Sequence, residues 1–309
     1  MDGDGFRRQF DVVLADVCRQ IGVPVSGAQL LRLHGSAVFA LPAAGLVVRI
    51  STNLAAIARI TASLRVTAWL ARGGFPCTVP ASVLEQPFTI DGKVASVWQY
   101  VPDAPGPAPS AIDLARLLRD LHSRPLPPSP PEPLTDPLAS VTAALRSAPP
   151  DAMPSQQRDW LADQIQELRG RWAGLRFPHP AVLIHGDAHP GNLIRAPHGV
   201  IVLGDWDHVA VGPPEWDLAQ IFYTSRRLGY PPQEEVDGFG VAYGWEPRDW
   251  PGLPTLLAIR EVSGLSPYIR NSPAQPFARR ELAFRVSTLQ VGEHSARWNR
   301  PSPARPQEA

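Results

Sequence analysis

The chain has 309 residues, 44% of them hydrophobic, with 29 Lys plus Arg balanced by 29 Asp plus Glu, so its formal net charge is zero. That length and apolar content exclude a chain disordered throughout and are enough for two packed lobes. Zero net charge gives no global reason to expect a nucleic-acid partner. The two cysteines, Cys18 and Cys77, make neither a disulfide framework nor a zinc site and read as small buried hydrophobes.

The acidic start, Met1-Asp2-Gly3-Asp4, lacks the basic-then-apolar order of a signal peptide, and no uninterrupted apolar run reaches membrane-spanning length. A cytoplasmic protein with no membrane partner is therefore expected. In chain order, Gln29–Leu33, Val38–Leu41 and Leu46–Ile50 read as short strands, the last two joined by a turn at Pro42–Gly45. From Ala55 to Ala71 the period becomes helical, with Ile57, Ile60 and Leu64 in step before Gly73-Gly74. Ser82–Leu84 and Lys93–Tyr100 are two further strand candidates. Strands, helix and strands again predict a small mixed lobe over residues 1–101.

Residues 102–300 read as mainly helical. Ser110 can cap a helix, with Asp113 placed for a near capping box and Ile112, Leu114, Leu117, Leu118 and Leu121 as its buried stripe. Arg124–Pro137 (RPLPPSPPEPLTDP) cannot be helical, because proline lacks a donor and clashes with the preceding turn; it reads as a stiff crossing or ordered loop. Further helices are expected over Gln156–Trp172, Pro214–Leu228, Leu253–Tyr268 and Phe277–Val291. The last residues, Pro301–Ala309, read as a disordered tail.

The informative stretch lies between these helices. Ala181–Ile184 is a short buried strand, and His185–Asn192 (HGDAHPGN) must be a loop. Leu193–Arg195 and Val200–Leu203 form a hairpin around Ala196–Gly199, and Gly204-Asp205-Trp206-Asp207 follows at once. The hairpin folds the chain back, so Asp187, Asn192 and Asp205 can converge with oxygen atoms alone. Such a set suits Mg²⁺, which favours carboxylates together with substrate phosphates, and phosphoryl transfer needs that metal plus a separate carboxylate for the incoming hydroxyl. A competing reading takes His185, Asp187 and His189 as an H-x-D-x-H metal face which, with Asp205, would make a metallohydrolase. Pro190 and Gly191 argue for a loop instead.

HGDAHPGNLI followed by VLGDWD resembles the aminoglycoside phosphotransferase and choline kinase-like family, and Gly212–Ala219 (GPPEWDLA) matches that family's G-x-x-x-x-D-L-A pattern. The resemblance implies an α+β, bilobal protein kinase-like fold, with a small N-terminal antiparallel β-sheet lobe plus helix and a larger, mainly α-helical C-terminal lobe. It implies a small-molecule kinase that uses Mg²⁺ and ATP or GTP. The acceptor would be a hydroxyl of an aminoglycoside-like antibiotic, amino alcohol, sugar or similar metabolite.

By the same resemblance Asp187 is the catalytic carboxylate, His185 orients its loop, and Asn192 and Asp205 hold metal. Asp207 is either a second metal ligand or a solvated turn residue, and His189 either meets phosphate or acceptor or makes a loop hydrogen bond. Asp217 would hold the catalytic loop. Leu33–Phe39, including Ser36, stands where the phosphate-covering loop belongs, and Arg49 stands where the family commonly has Lys. The backbone of Gln99, Tyr100 and Val101 would meet the purine. Yet Ser51–Arg72 contains no Asp or Glu, only Arg59, Arg65 and Arg72 among charged residues, so the usual partner glutamate is missing from that helix. Either Arg49 is held by a carboxylate elsewhere or by nucleotide alone, or the chain is a weak or inactive nucleotide-binding pseudokinase. Acceptor-site candidates are Asp207, Glu215, Asp237 and Glu261, with Phe222, Tyr223, Tyr243, Trp245 and Tyr268 as apolar or stacking surface.

Overall fold

Residues 3–33, 36–83 and 85–299 are described by a computed structural model. Five strands, β1 (Gln29–Leu33), β2 (Ser36–Leu41), β3 (Leu46–Ser51), β4 (Phe88–Ile90) and β5 (Lys93–Gln99), pair antiparallel in the order β1-β2-β3-β5-β4. The register sets Val48 between Phe39 and Val97, three buried residues on one face of the sheet. A first helix, α1 (Gly3–Ile21), covers that face through Phe10, Val13, Leu14, Val17 and Cys18. The sequence reading missed α1, although this spacing is that of a single helical face.

The next helix, α2 (Ile57–Arg72), is entered through a short turn in which the Asn53 side chain accepts the Ala55 N–H. Ile60 and Leu64 in its first half pack with Val94 and Trp98 of β5. Val66 and Leu70 in its second half join Phe75 and Cys77 in the core of the helical lobe. Thus α2 belongs to both cores. Leu54–Arg72, although interrupted by Arg59 and Arg65, is by length and average composition long and apolar enough to cross a membrane, and its packing into two cores accounts for that character.

Residues 82 and 83 do not form the expected strand, and Leu84 lies outside the described residues. The reason is Gln86. Its side-chain amide donates to the Ala81 and Val97 carbonyls and accepts the Val97 N–H, so a side chain stands where a strand backbone would. The edge position goes to β4.

The remainder is helical apart from two short ribbons: α3 (Ala111–Ser123), α4 (Ala139–Ser147), α5 (Ser155–Ala173), α6 (Pro214–Leu228), α7 (Gln233–Tyr243), α8 (Leu253–Ser263), α9 (Ser266–Asn271) and α10 (Pro276–Gln290). The capping box at Ser110 and Asp113 is complete. The single helix expected over 253–268 breaks between α8 and α9, where Pro267 withholds its N–H from the preceding turn. In the ribbons, β6 (Val182–Ile184) pairs with β9 (Ala210–Gly212), and β7 (Leu193–Arg195) with β8 (Ile201–Leu203). The proline-rich crossing is ordered: Leu134 donates its N–H to the Val211 carbonyl at 2.8 Å, extending the β6–β9 ribbon. The tail expected to be disordered, 301–309, lies outside the described residues.

Candidate active site

The loop before β7 and the loop after β8 are tied by a short ladder of hydrogen bonds. Gly204 donates its N–H to the Asn192 carbonyl at 2.8 Å, and the His185 ring donates through Nε2 to the Gly204 carbonyl at 2.8 Å. Asn192 donates its side-chain amide to the Asp187 carbonyl at 2.9 Å. These bonds tie together the two loops that carry Asp187, Asn192 and Asp205, and His189 feels the charges of both Asp187 and Asp205. His185 is fully buried, its other ring nitrogen accepts the Asp187 N–H, and its ring packs on buried Trp206. Because both nitrogens are committed inside the fold, His185 positions the loop and is not a metal ligand. The H-x-D-x-H face does not form, and no cluster of three or more His, Cys, Asp or Glu able to hold a metal occurs among the described residues.

The Asp187 loop is clamped from below. Asp217, in the first turn of α6, accepts the N–H groups of His185 and Gly186, each at 2.7 Å, and the Nε2–H of His122 at 3.2 Å. Burial opposes its charge, but His122 and the loop donors outweigh that and hold its pKa below the usual carboxylate value. His122 is fixed in turn by the Tyr243 hydroxyl at 3.0 Å. Gly186 has a φ of 87°, and a Cβ there would run into the His208 carbonyl, so the loop needs glycine at this point.

Asp187 is half-exposed. Gln220 of α6 donates its amide to Asp187 Oδ1 at 2.9 Å, and His189 Nε2 lies 3.9 Å from Oδ2. Desolvation lowers the His189 pKa despite the nearby Asp187 charge. Arg260 of α8 lies beneath, stacked on Trp216 at 3.7 Å, with its N–H groups on the Gly186 and Trp216 carbonyls. Burial brings its pKa down to about 10, against the opposing pull of Asp187 and Asp217. Sequence reasoning missed Gln220, Arg260 and His122. Gln220 follows the D-L-A pattern directly, one turn beyond Asp217, and that placement was the available signal.

On the sheet side the structure shows how Arg49 is held. Its Nη2 lies 2.8 Å from Asp205 Oδ1 and 2.9 Å from Asp207 Oδ2. Arg32, also missed, reaches the other oxygen of Asp205 at 3.2 Å. Burial opposes ionisation of Asp205, but Arg49 and then Arg32 prevail and hold it well below the carboxylate range. Asp205 adopts a left-handed backbone, φ 60°, a conformation uncommon outside glycine and tolerated best by Asn and Asp. Arg49, on the sheet, is thus held by two carboxylates that follow β8.

Other expected contacts come out differently. Gln99 and Tyr100 have given their N–H groups to the Val79 and Gly45 carbonyls, at 2.8 and 2.9 Å. Of the N–H groups of these three residues, whose backbone amides and carbonyls are the expected purine contacts, that of Val101 lacks a backbone acceptor among the described residues. Ser36 opens β2 opposite Ser51, whereas His34 and Gly35 lie outside the described residues. The acidic acceptor candidates are already partnered. Glu215 accepts from His179, Glu261 is buried against Arg226 and Arg227, and Asp237 pairs with Arg248. Phe222, Tyr223 and Tyr268 are core residues, Tyr243 serves His122, and Trp245 packs edge-on against His179.

The sequence pattern of the phosphotransferase enzyme family matches residues 34–255. No curated protein matches the chain. Among solved structures, an amicoumacin kinase in complex with AMP-PNP, Ca²⁺ and Ami aligns at a TM-score of 0.71 and 13% identity, over 97% of this chain and 98% of that one. An aminoglycoside phosphotransferase from Streptomyces rimosus aligns at 0.57 and 18% identity, over 83% and 98%. A choline/ethanolamine kinase family protein from Mesorhizobium loti aligns at 0.57 and 16% identity, over 93% and 97%. At these identities the likeness is one of fold, the α+β protein kinase-like architecture.

Proposed function

This chain belongs to the phosphotransferase enzyme family, and we propose that it moves the terminal phosphoryl group of ATP or GTP to a hydroxyl of a small molecule. The observation that carries this reading is the ladder joining the Asp187 loop to the Asp205 loop through His185, Asn192 and Gly204. In this reading the half-exposed Asp187 carboxylate would meet an acceptor, and Asp205, in the loop tied to it, gathers cations.

The donor set fits a hard divalent ion. Asp205 and Asn192 supply oxygen only, and two guanidinium groups already converge on Asp205, marking it as a cation-attracting point. When bound, Mg²⁺ would neutralise charge on the phosphate oxygens. Asp187 accepts the proton of the acceptor hydroxyl as the new O–P bond forms and the bond from phosphorus to the leaving nucleoside diphosphate breaks. Gln220 occupies Oδ1, which leaves Oδ2 for that proton. His185 and Asp217 fix the loop so that the carboxylate need not reorganise. The pseudokinase reading loses its main support, since Arg49 is held by two carboxylates without any helix glutamate.

The test is a transfer assay with Mg²⁺ and labelled ATP or GTP over a panel of hydroxylated antibiotics, amino alcohols and sugars. Asp187→Asn should lower kcat by about 10²- to 10⁴-fold, the range for losing a general base, while nucleotide still binds. Turnover unchanged by that substitution contradicts the assignment.

A further inference from the structure

Metal ligation and solvated turn residue are the roles the sequence offers Asp207; the geometry points to another. We propose that Asp207 is the positioning residue that holds Arg49 for the nucleotide phosphates, replacing the carboxylate that α2 lacks. The inference rests on the phosphotransferase reading and assigns a residue within its nucleotide site.

A guanidinium has five N–H donors and an ammonium three. Arg49 uses a single nitrogen, Nη2, for both Asp205 and Asp207, and no other acceptor for it occurs among the described residues. The Nη1 and Nε donors therefore remain for phosphate oxygens, in the fork geometry that matches them. A lysine held by the same two carboxylates would keep a single N–H. The chain thus combines three features that otherwise look unrelated: Arg in the lysine position, no acidic residue from Ser51 to Arg72, and a second aspartate two residues after Asp205. When Asp205 turns to a metal ion, Asp207 still restrains Arg49. The restraint comes from the opposite lobe, since Arg49 lies on β3 and Asp207 follows β8.

Direct binding of a fluorescent ATP analogue tests this, measured with Mg²⁺ and again in EDTA. Asp207→Asn should weaken binding about tenfold in both conditions, the loss of one charge-assisted hydrogen bond, with the Mg²⁺ half-saturation changed by less than about twofold. Asp207→Glu should restore much of the affinity. On an Arg49→Met background Asp207→Asn should have no further effect. Plain electrostatics gives the opposite sign, because removing a negative charge should draw the polyphosphate more tightly. Tighter or unchanged metal-free binding, a large shift in Mg²⁺ dependence alone, or independent effects in the double variant would each overturn the assignment. Thermal melting of each variant checks that the fold is intact. A wild-type protein that binds no nucleotide overturns the functional reading and this assignment with it, whereas a binding wild type with an unaffected Asp207→Asn variant overturns the assignment alone.

Discussion

In the proposed reaction the Asp187 loop and the Arg49 strand would carry two halves of the same chemistry, and they are fixed in opposite ways. Around Asp187 every restraint lies within the helical lobe: Asp217, His122, Gln220 and Arg260 come from α6, α3 and α8. Arg49 sits on the sheet and is restrained by Asp205 and Asp207 from the far side of the cleft. The proposed base is therefore preorganised by one core, whereas the proposed phosphate-binding cation is held by contacts between the two lobes. Preorganised dipoles stabilise developing charge without reorganisation; a contact across a cleft can be exchanged as ligands arrive.

That contrast is open to attack from each side. The largest effect should come from Asp217→Ala, which removes the acceptor of the His185 and Gly186 N–H groups and of the His122 Nε2–H. Breaking such a buried charged network costs about 3–5 kcal/mol, readable as a fall in the denaturant midpoint. Next, Gln220→Ala should lower kcat by about 10- to 100-fold with little change in nucleotide binding, since a misplaced reacting group is costly even when every other part is present. Nucleotide affinity falling in step would mean that the two halves are not separable.

Strong acid should loosen the Arg49 side. The Asp205 pKa is held down in the folded protein, so its pairing contributes stability above the ordinary carboxylate value of 3.8 and loses it as pH falls through the lower folded value. The melting difference between wild type and Asp205→Asn should shrink as pH drops below 3.8. The smallest change concerns α3, whose cap at Ser110 supports the helix that ends near His122. Ser110→Ala should cost about 1 kcal/mol and leave transfer unchanged.

The sequence was most legible where local rules act alone. The Ser110 capping box, the hairpin of β7 and β8, and the helix beginning at Pro214 all follow from residues a few positions apart. It was least legible where a side chain answers a distant backbone. Gln86 took the place of a strand at residues 82 and 83, and Pro267 divided one expected helix into two. For α1 the periodic signal at Phe10, Val13, Leu14 and Val17 was present and unread. In the site, the motif residues Asp187, Asn192 and Asp205 stood out as types at a spacing. Gln220, Arg260 and Arg32 did not, because a glutamine or arginine becomes informative only when the fold shows which carboxylate or carbonyl it faces. The absent helix glutamate was visible in the sequence, but its replacement lay in the other lobe.

A crystal structure with a non-hydrolysable ATP analogue and a divalent ion tests the account most directly. It should show the metal on Asp205 and Asn192, and Arg49 still touching Asp207 with its free N–H groups on phosphate oxygens. The Asp187 carboxylate should face the terminal phosphate. A nucleotide bound elsewhere, or a terminal phosphate out of reach of the cleft shared by Asp187 and Asp205, would contradict it.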